Sequence, residues 1–503
     1  MRQVSGVAGV MTIVAMGLGS AVAVGDLRIL ASNISIIRNG LQFSPATTVF
    51  VSSLAILTLG ATVLGAGVLG DKYGMRRMFL AGGVATVVFG FIGAAAPNVA
   101  VLMIARACIG VAFAFLTGLS LAIVNAVFPP GRRAGAIAWY LAAVYAFGVI
   151  PAMVGAVLTE RLGWRSGLLV TPVLAVLVLV ITLRYVPETQ RSHRRTDVLG
   201  LVLIAIALVG LTYGVSQLQN GPDLESVASI LTGVLALVGF AWWEARCHDP
   251  ALDLRIFRSP RFNAVVAAGA ANNLVQGGSM TMVTFYLVVI RDESTWVLAL
   301  ILIPATVVSA LAAVVAGRAA VRVGNGAVVV AGLVVLAVSV LMRMTFGLNT
   351  PIAVVGAVIA LTTVGGAIIQ TPQATVMMSS APTDLGGVVS ALKAAVGGSF
   401  YGLGAALFSM FGILLFIRDA APKLAGTGIS AEQAGDILSA TADAAGSASL
   451  DPQRTAWVIS EATSSMLEVA QTLNLVMAVL PVAAAVAVLV LFRRDAPRMA
   501  VAG

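Results

Sequence analysis

Gly67-Val68-Leu69-Gly70-Asp71-Lys72-Tyr73-Gly74-Met75-Arg76-Arg77 stands between two apolar runs, near 47–69 and 78–95. A run of about 20 apolar residues is what a helix needs to cross roughly 30 Å of hydrocarbon, so the segment reads as the turn between two spans. Its glycines permit a tight turn and close approach of backbones. Asp71 can sit near exposed helix amides or a neighbouring cation, while Lys72, Arg76 and Arg77 hold the turn at headgroup level. The spacing returns 250 residues later in Gly317-Arg318-Ala319-Ala320-Val321-Arg322-Val323-Gly324, with Val321 where Asp71 stands in the first copy.

The rest of the chain has the same solvent. Of 503 residues, 59% are hydrophobic and 10% charged, with a mean hydropathy of +1.01; soluble domains average roughly 25% charged. Apolar runs near 9–35, 47–69, 78–95, 99–125, 134–158, 166–185, 198–217, 226–243, 263–290, 296–317, 326–346, 350–376, 387–417 and 468–492 make fourteen spans in the order six, two, six. The first is longer than a typical signal-peptide core and is read as a span. This predicts an all-α polytopic membrane protein. Residues 1–190 form an N-terminal six-helix bundle, 191–262 two linker helices and a cytoplasmic connector, and 263–503 a C-terminal six-helix bundle. Segment 418–466, rich in Ala, Ser, Gly and acids, is too polar to span and is expected as a partly ordered external lobe.

An even number of spans puts both termini on one side. Of 30 Lys and Arg, nineteen fall in the termini and the loops of that side, seven in the opposite loops and four within spans. The positive-inside rule makes that side cytoplasmic. The net charge of +9 thus belongs to loops facing an anionic leaflet, and nucleic acid is not an expected partner. Cys108 and Cys247 sit in an apolar run and a basic loop, which argues against a disulfide framework or a thiolate metal site. Gly65-Ala66-Gly67-Val68-Leu69-Gly70 reads G-x-G-x-x-G, but no strand, βαβ unit or suitably spaced acid accompanies it, so it is no dinucleotide site.

The 67–77 segment closely resembles the signature loop of the major facilitator superfamily, G-x-L-x-D-x-x-G-R-K, and two parallel six-helix halves suit that class of secondary transporter. The central helix pair, the opening Asp197-Val198-Leu199-Gly200 and the connector DPALDLRIFRSPRF are similar to the fourteen-helix drug:proton antiporter branch. The resemblance implies a major facilitator fold and a monomer in the cell membrane. It also implies proton-coupled export of small amphiphilic or drug-like compounds by alternating access, with the proton gradient in place of a cofactor. Residues 67–77 would be the gating loop. The branch's fifth-helix element G-P-x-x-G-G is matched in part by Gly148, Pro151 and Gly155, with Ile150 and Val154 in place of two glycines. Pro151 removes a backbone donor there and can kink the helix.

Ionisable residues within spans are costly and mark function by default. Asp26 lies in the first span, where related exporters commonly carry an acid, and Arg28 follows on a different helical face. Two readings of Asp26 stand side by side: a proton-titrating carboxylate, or a structural partner of Arg28, Arg106 or another helix. Arg106 aligns with the arginine of the family's R-x-x-Q-G motif, associated with proton coupling; Gly110 keeps the spacing and Ile109 replaces the glutamine. Lys393, one of three lysines, either faces protein or a wet cavity or snorkels from a helix end. Glu461 and Glu468 precede the last span and read as interfacial. Arg28, Asn33, Tyr145, Asn272, Asn273, Gln276, Gln373 and Lys393 are candidate cavity residues, alongside Asn125, Phe147 and Gln370. Hydrogen bonding between helices also explains any of the polar ones. His193 and His248 fall in loops, which leaves histidine out of proton transfer. The few acids lean against a purely cationic substrate, so export of an anionic or zwitterionic metabolite or lipid is the alternative, followed by a non-transporting sensor on the same fold.

Overall fold

The computed structural model describes residues 6–192, 197–217, 223–247, 249–291, 293, 295–380, 385–424 and 452–494. Helices α1 (Val7–Leu41), α2 (Pro45–Tyr73), α3 (Met75–Ala94), α4 (Val99–Val127), α5 (Arg133–Gly148), α6 (Ile150–Leu162) and α7 (Trp164–Tyr185) form the first six spans. Helices α8 (Val198–Gln217) and α9 (Leu224–Glu244) are the central pair. The last six spans are α10 (Pro260–Thr284), α11 (Thr295–Val323), α12 (Asn325–Met342), α13 (Ile352–Ser380), α14 (Gly386–Lys423) and α15 (Pro452–Arg494). No strand occurs among the described residues. In hydrocarbon every backbone amide must be satisfied within its own segment, which a continuous helix does.

Local signals set the ends. Side-chain oxygens of Ser44, Asn98, Asp223 and Ser259 accept from N–H groups in the first turns of α2, α4, α9 and α10. Gly74 and Gly324, the closing glycines of the two repeat copies, have φ of 105° and 90°; both end one helix and start the next in a conformation that L side chains rarely adopt. The fifth span is interrupted at Val149, between α5 and α6, because Pro151 has no N–H to continue the ladder. Helix α10 ends in a π-helical turn, Phe285–Ile290.

The helices pack in two sets, α1–α7 and α10–α15, with α8–α9 as a hairpin against α2 and α14. Across the sets α2 meets α14 and, in the equivalent joint, α5 meets α11. The same repeat glycine lines each joint: a Cβ on Gly67 would stand 2.7 Å from the Gly387 carbonyl oxygen, and one on Gly317 would meet the Ala138 Cβ.

The region 418–466 departs from expectation. Helix α14 continues to Lys423, and α15 starts at Pro452 rather than near 468; residues 425–451 of the expected lobe lie outside the described residues. The polar extension holds together through Lys423, whose Nζ reaches Asp419 at 2.7 Å and Ser465 and Glu468 at 3.2 Å. A helix beyond the hydrocarbon needs no apolar face towards lipid, so its sequence looks like loop.

Helix α6 lies directly on α1: a Cβ on Gly25 would stand 2.5 Å from the Pro151 Cβ, and one on Gly155 would stand 2.6 Å from the Ile29 Cγ1. Overpacking of this kind costs about 1–3 kcal/mol. Gly25→Val is expected to lower the thermal unfolding midpoint of the purified protein, whereas the same change at Gly60, where a Cβ meets nothing within 4 Å, leaves it nearly unchanged.

Candidate functional site

The first site is the α2–α3 turn. The opening N–H groups of α14 have no acceptor in their own helix and sit at its positive end. Asp71 accepts from Gly387 N at 2.8 Å through Oδ1 and from Val388 N at 3.0 Å through Oδ2. The Asp71 residue is 5% exposed. The segment after α7 wraps the same turn: Ser192 N donates to the Asp71 carbonyl at 2.7 Å, and Met75 N to Thr189 Oγ1 at 3.0 Å. Arg77 pairs with Glu188 at 3.3 Å and Arg76 donates to the Leu183 carbonyl at 2.9 Å. Lys72 stands 5.3 Å from the centre of the Tyr73 ring. The basic residues thus fix the turn to its own half, while Asp71 reaches the other half. At the equivalent joint Val321 has no such acceptor.

The second site joins α1, α4 and α7. Arg106 Nη1 donates to Asp26 Oδ2 at 2.5 Å, and Thr171 Oγ1 donates to Asp26 Oδ1 at 2.6 Å. Asp26 and Arg106 are wholly buried, and Arg106 Nε has no partner. Of the partners considered for Asp26, the one 80 positions away is the one engaged. Arg28 is on the exposed side of α1, within electrostatic reach of Tyr401 on α14. Gly93 on α3 leaves room for the guanidinium: a Cβ there would lie 3.6 Å from Arg106 Nη2.

The candidate cavity residues divide. Lys393 Nζ donates to Gln370 Oε1 at 2.7 Å, linking α14 to α13, and Asn273 on α10 lies beside Gly397, one turn along α14 from Lys393. Both Lys393 and Asn273 are half-buried. Asn272 and Gln373, by contrast, are buried between α10 and α13, where they face Gly366 and Gly269. Asn272 Oδ1 and Gln373 Oε1 are buried there without a hydrogen-bond partner among the described residues. Gln276 donates to the Thr362 carbonyl at 2.9 Å in the same interface. Asn33 donates to Ile29 of its own helix at 2.8 Å, and Tyr145 is half-buried against the apolar core. Pro151 and Gly155 pack against α1, while Gly148 has no atom within 4 Å of a Cβ position. His193 and His248 lie outside the described residues.

Sequence reasoning passed over Arg343, which is 3% exposed at the end of α12. Its Nη2 donates to Ser279 Oγ at 2.9 Å and Thr362 Oγ1 at 3.2 Å, with no acidic partner among the described residues; Nε and Nη1 are unpartnered. The repeat contained the signal. Arg343 stands 250 residues after Gly93, the glycine that faces Arg106, so each set buries one guanidinium at related places from different helices.

Fourteen spans in two parallel sets, meeting at glycine-lined joints on one face, define a membrane protein of the alternating-access transporter class. The chain belongs to the Major Facilitator Superfamily, whose family model matches residues 16–409. It is 28% identical over 393 residues to the multidrug resistance protein Stp of Mycobacterium tuberculosis (strain CDC 1551 / Oshkosh), covering 76% of this chain and 72% of that one. It is 28% identical over 395 residues to the tetracenomycin C resistance and export protein of Streptomyces glaucescens, covering 77% and 73%. The multidrug efflux pump LfrA of Mycolicibacterium smegmatis is 26% identical over 371 residues, with 73% and 74% covered. Among solved structures, the human organic anion transporter MFSD10 superposes with a TM-score of 0.58 at 14% identity, covering 94% of this chain and 99% of that one. At that identity the likeness is one of fold.

Two outcomes are expected. With spin labels at Tyr73 and Val323, both exposed, and both cysteines replaced, Asp71→Ala shifts the distance distribution towards longer separations, because hydrogen bonds to a charged group contribute about 1.5–3 kcal/mol each. Thr171→Val removes one donor from Asp26 and lowers the unfolding midpoint, while the nearly isosteric change at Thr86, whose hydroxyl bonds only its own helix at Gly82, has a smaller effect.

Proposed function

We propose that this protein is a proton-driven exporter of small amphiphilic, drug-like molecules, a monomer in the plasma membrane with both termini cytoplasmic. Residues 1–190 and 263–503 are the halves that rock, and 191–262 joins them. The observation that carries this reading is the Asp71 cap on α14, a reversible bond between halves on one face. With the α2–α3 turn on the cytoplasmic side, the conformation described is the one closed to the cytoplasm. Export as the direction is supported by the relatives, whose names specify drug resistance, efflux and export.

The coupling site in this reading is Asp26 with Arg106. While ionised, Asp26 ties α1 to α4 and α7 through Arg106 and Thr171. A proton on Asp26 leaves the Arg106 guanidinium buried without a counter-charge, and breaking a buried pair in this way costs about 3–5 kcal/mol. That cost loosens the three-helix junction, and proton binding is thereby exchanged for a change of packing. The energy source is the proton gradient, with no bound cofactor.

The test is substrate-induced proton release from everted vesicles energised by respiration, across cationic, zwitterionic and anionic amphiphiles. Wild type is expected to release protons with at least one compound, and Asp26→Asn to lose at least tenfold of that response at equal protein level. Undiminished release in the variant removes Asp26 from the coupling site. Silence of the wild type across the panel favours a sensor built on the same fold.

A further inference from the structure

We infer that the substrate of this transporter carries an acidic group, and that Lys393 is where that group docks. The inference rests on the exporter reading above and adds the chemical class of its cargo.

Lys393 lies seven residues into α14, about 10 Å along the axis, and its partner Gln370 lies ten residues before the end of α13, about 15 Å from that end. Both positions lie well inside their helices, which argues against Lys393 snorkelling from a helix end. An ammonium has three donors; the amide oxygen of Gln370, at 2.7 Å, takes one. Among the described residues, no carboxylate is within salt-bridge reach of it. Among the described residues of the spans, Asp26 is committed to Arg106 and Thr171, Asp71 to the start of α14, Asp419 and Glu468 to Lys423, Glu225 to Tyr213 and Glu244 to Leu252 N, and no ion pair joins Glu160 or Glu461 to Lys393. The other neighbour identified on a packed helix is Asn273 of α10, which is neutral and gives its own Nδ2 to the Gly269 carbonyl.

A lysine is costly at this depth unless something negative joins it. The position suits a ligand. Gly387, Ser390 and Ala391, the turn before Lys393, are pressed against α2 and α4 of the other half. Two turns further on, exposed Tyr401 comes within electrostatic reach of Arg28 on α1, itself exposed. Lys393 thus lies between a segment of α14 packed tightly against the other half and a segment that is exposed at Tyr401. A cation of that kind attracts a carboxylate, sulfonate or phosphate and repels a lipophilic cation by the same Coulombic argument. The apolar body of an amphiphile would then extend towards Tyr401.

The experiment measures equilibrium binding to the purified full chain in nanodiscs of zwitterionic lipid, with taurocholate as the anionic probe and ethidium as the cationic one. Wild type, Lys393→Met, Lys393→Arg and Asp26→Asn are compared, and thermal unfolding reports whether each variant is folded. Taurocholate is expected to bind wild type more tightly than ethidium does. Lys393→Met is expected to weaken taurocholate at least tenfold and leave ethidium unchanged or improved, while Lys393→Arg retains most of the taurocholate affinity. The inference is overturned if folded Lys393→Met binds taurocholate as wild type does, if ethidium binds wild type more tightly, or if neither probe binds. Proton release in everted vesicles is measured with the same two compounds. Binding that depends on Lys393 without any proton movement keeps the acid-recognising site and removes the exporter reading; proton movement driven only by ethidium does the reverse.

Discussion

The N–H groups that open α14 find no acceptor within their own helix, and one carboxylate from the other half supplies it. Asp71 meets Gly387 and Val388 with separate oxygens, in a place where helix geometry already concentrates positive potential. The bond forms because Gly67 and Gly387 bring two backbones together with no room for a Cβ between them. Much else follows from that close approach: the α2–α14 joint, the tight packing of α14 just before Lys393, and the wrapping of residues 186–192 around the turn. Since Val321 replaces the acid at the α5–α11 joint, only the α2–α14 joint is fastened in this way among the described residues.

Buried charge is distributed unequally between the halves. In the first, Arg106 and Asp26 compensate each other in a sealed junction of three helices. In the second, among the described residues, Arg343 has only the hydroxyls of Ser279 and Thr362, and Lys393 only an amide oxygen. Neutral hydrogen-bond partners soften but do not cancel the desolvation of a cation. On the reading proposed above, the first half responds to a proton, which changes its charge balance, and the second to an anion, which completes its own.

The fold was legible because the bilayer leaves few options: runs of sufficient length must be helices, and capping residues and glycines mark their ends. Pro151 announced the break in the fifth span, and the 67–77 and 317–324 copies announced parallel halves whose closing glycines share a positive φ. The boundaries at 418–466 were not legible, since hydropathy detects helices through lipid and Lys423, Asp419, Ser465 and Glu468 stabilise one beyond it. The site was read in part. Residue type and depth brought out Asp26, Arg106 and Lys393, but nearness in the chain favoured Arg28 as much as Arg106, and only the packing of α1 on α4 separates them. Polarity alone marked Asn272 and Gln373, and it could not foretell that both would be buried between α10 and α13 with an unpartnered oxygen. Arg343 lacked any familiar motif, and its position in the repeat was its one mark.

The two joints between the halves also differ in what covers them. Helix α8 lies over the one between α2 and α14, with Leu201 at 4.0 Å from a Cβ on Gly65 and Thr212 at 4.0 Å from one on Gly402. Among the described residues, the central hairpin makes no comparable contact with the joint between α5 and α11. The two additional spans thus give an otherwise twofold architecture a front and a back.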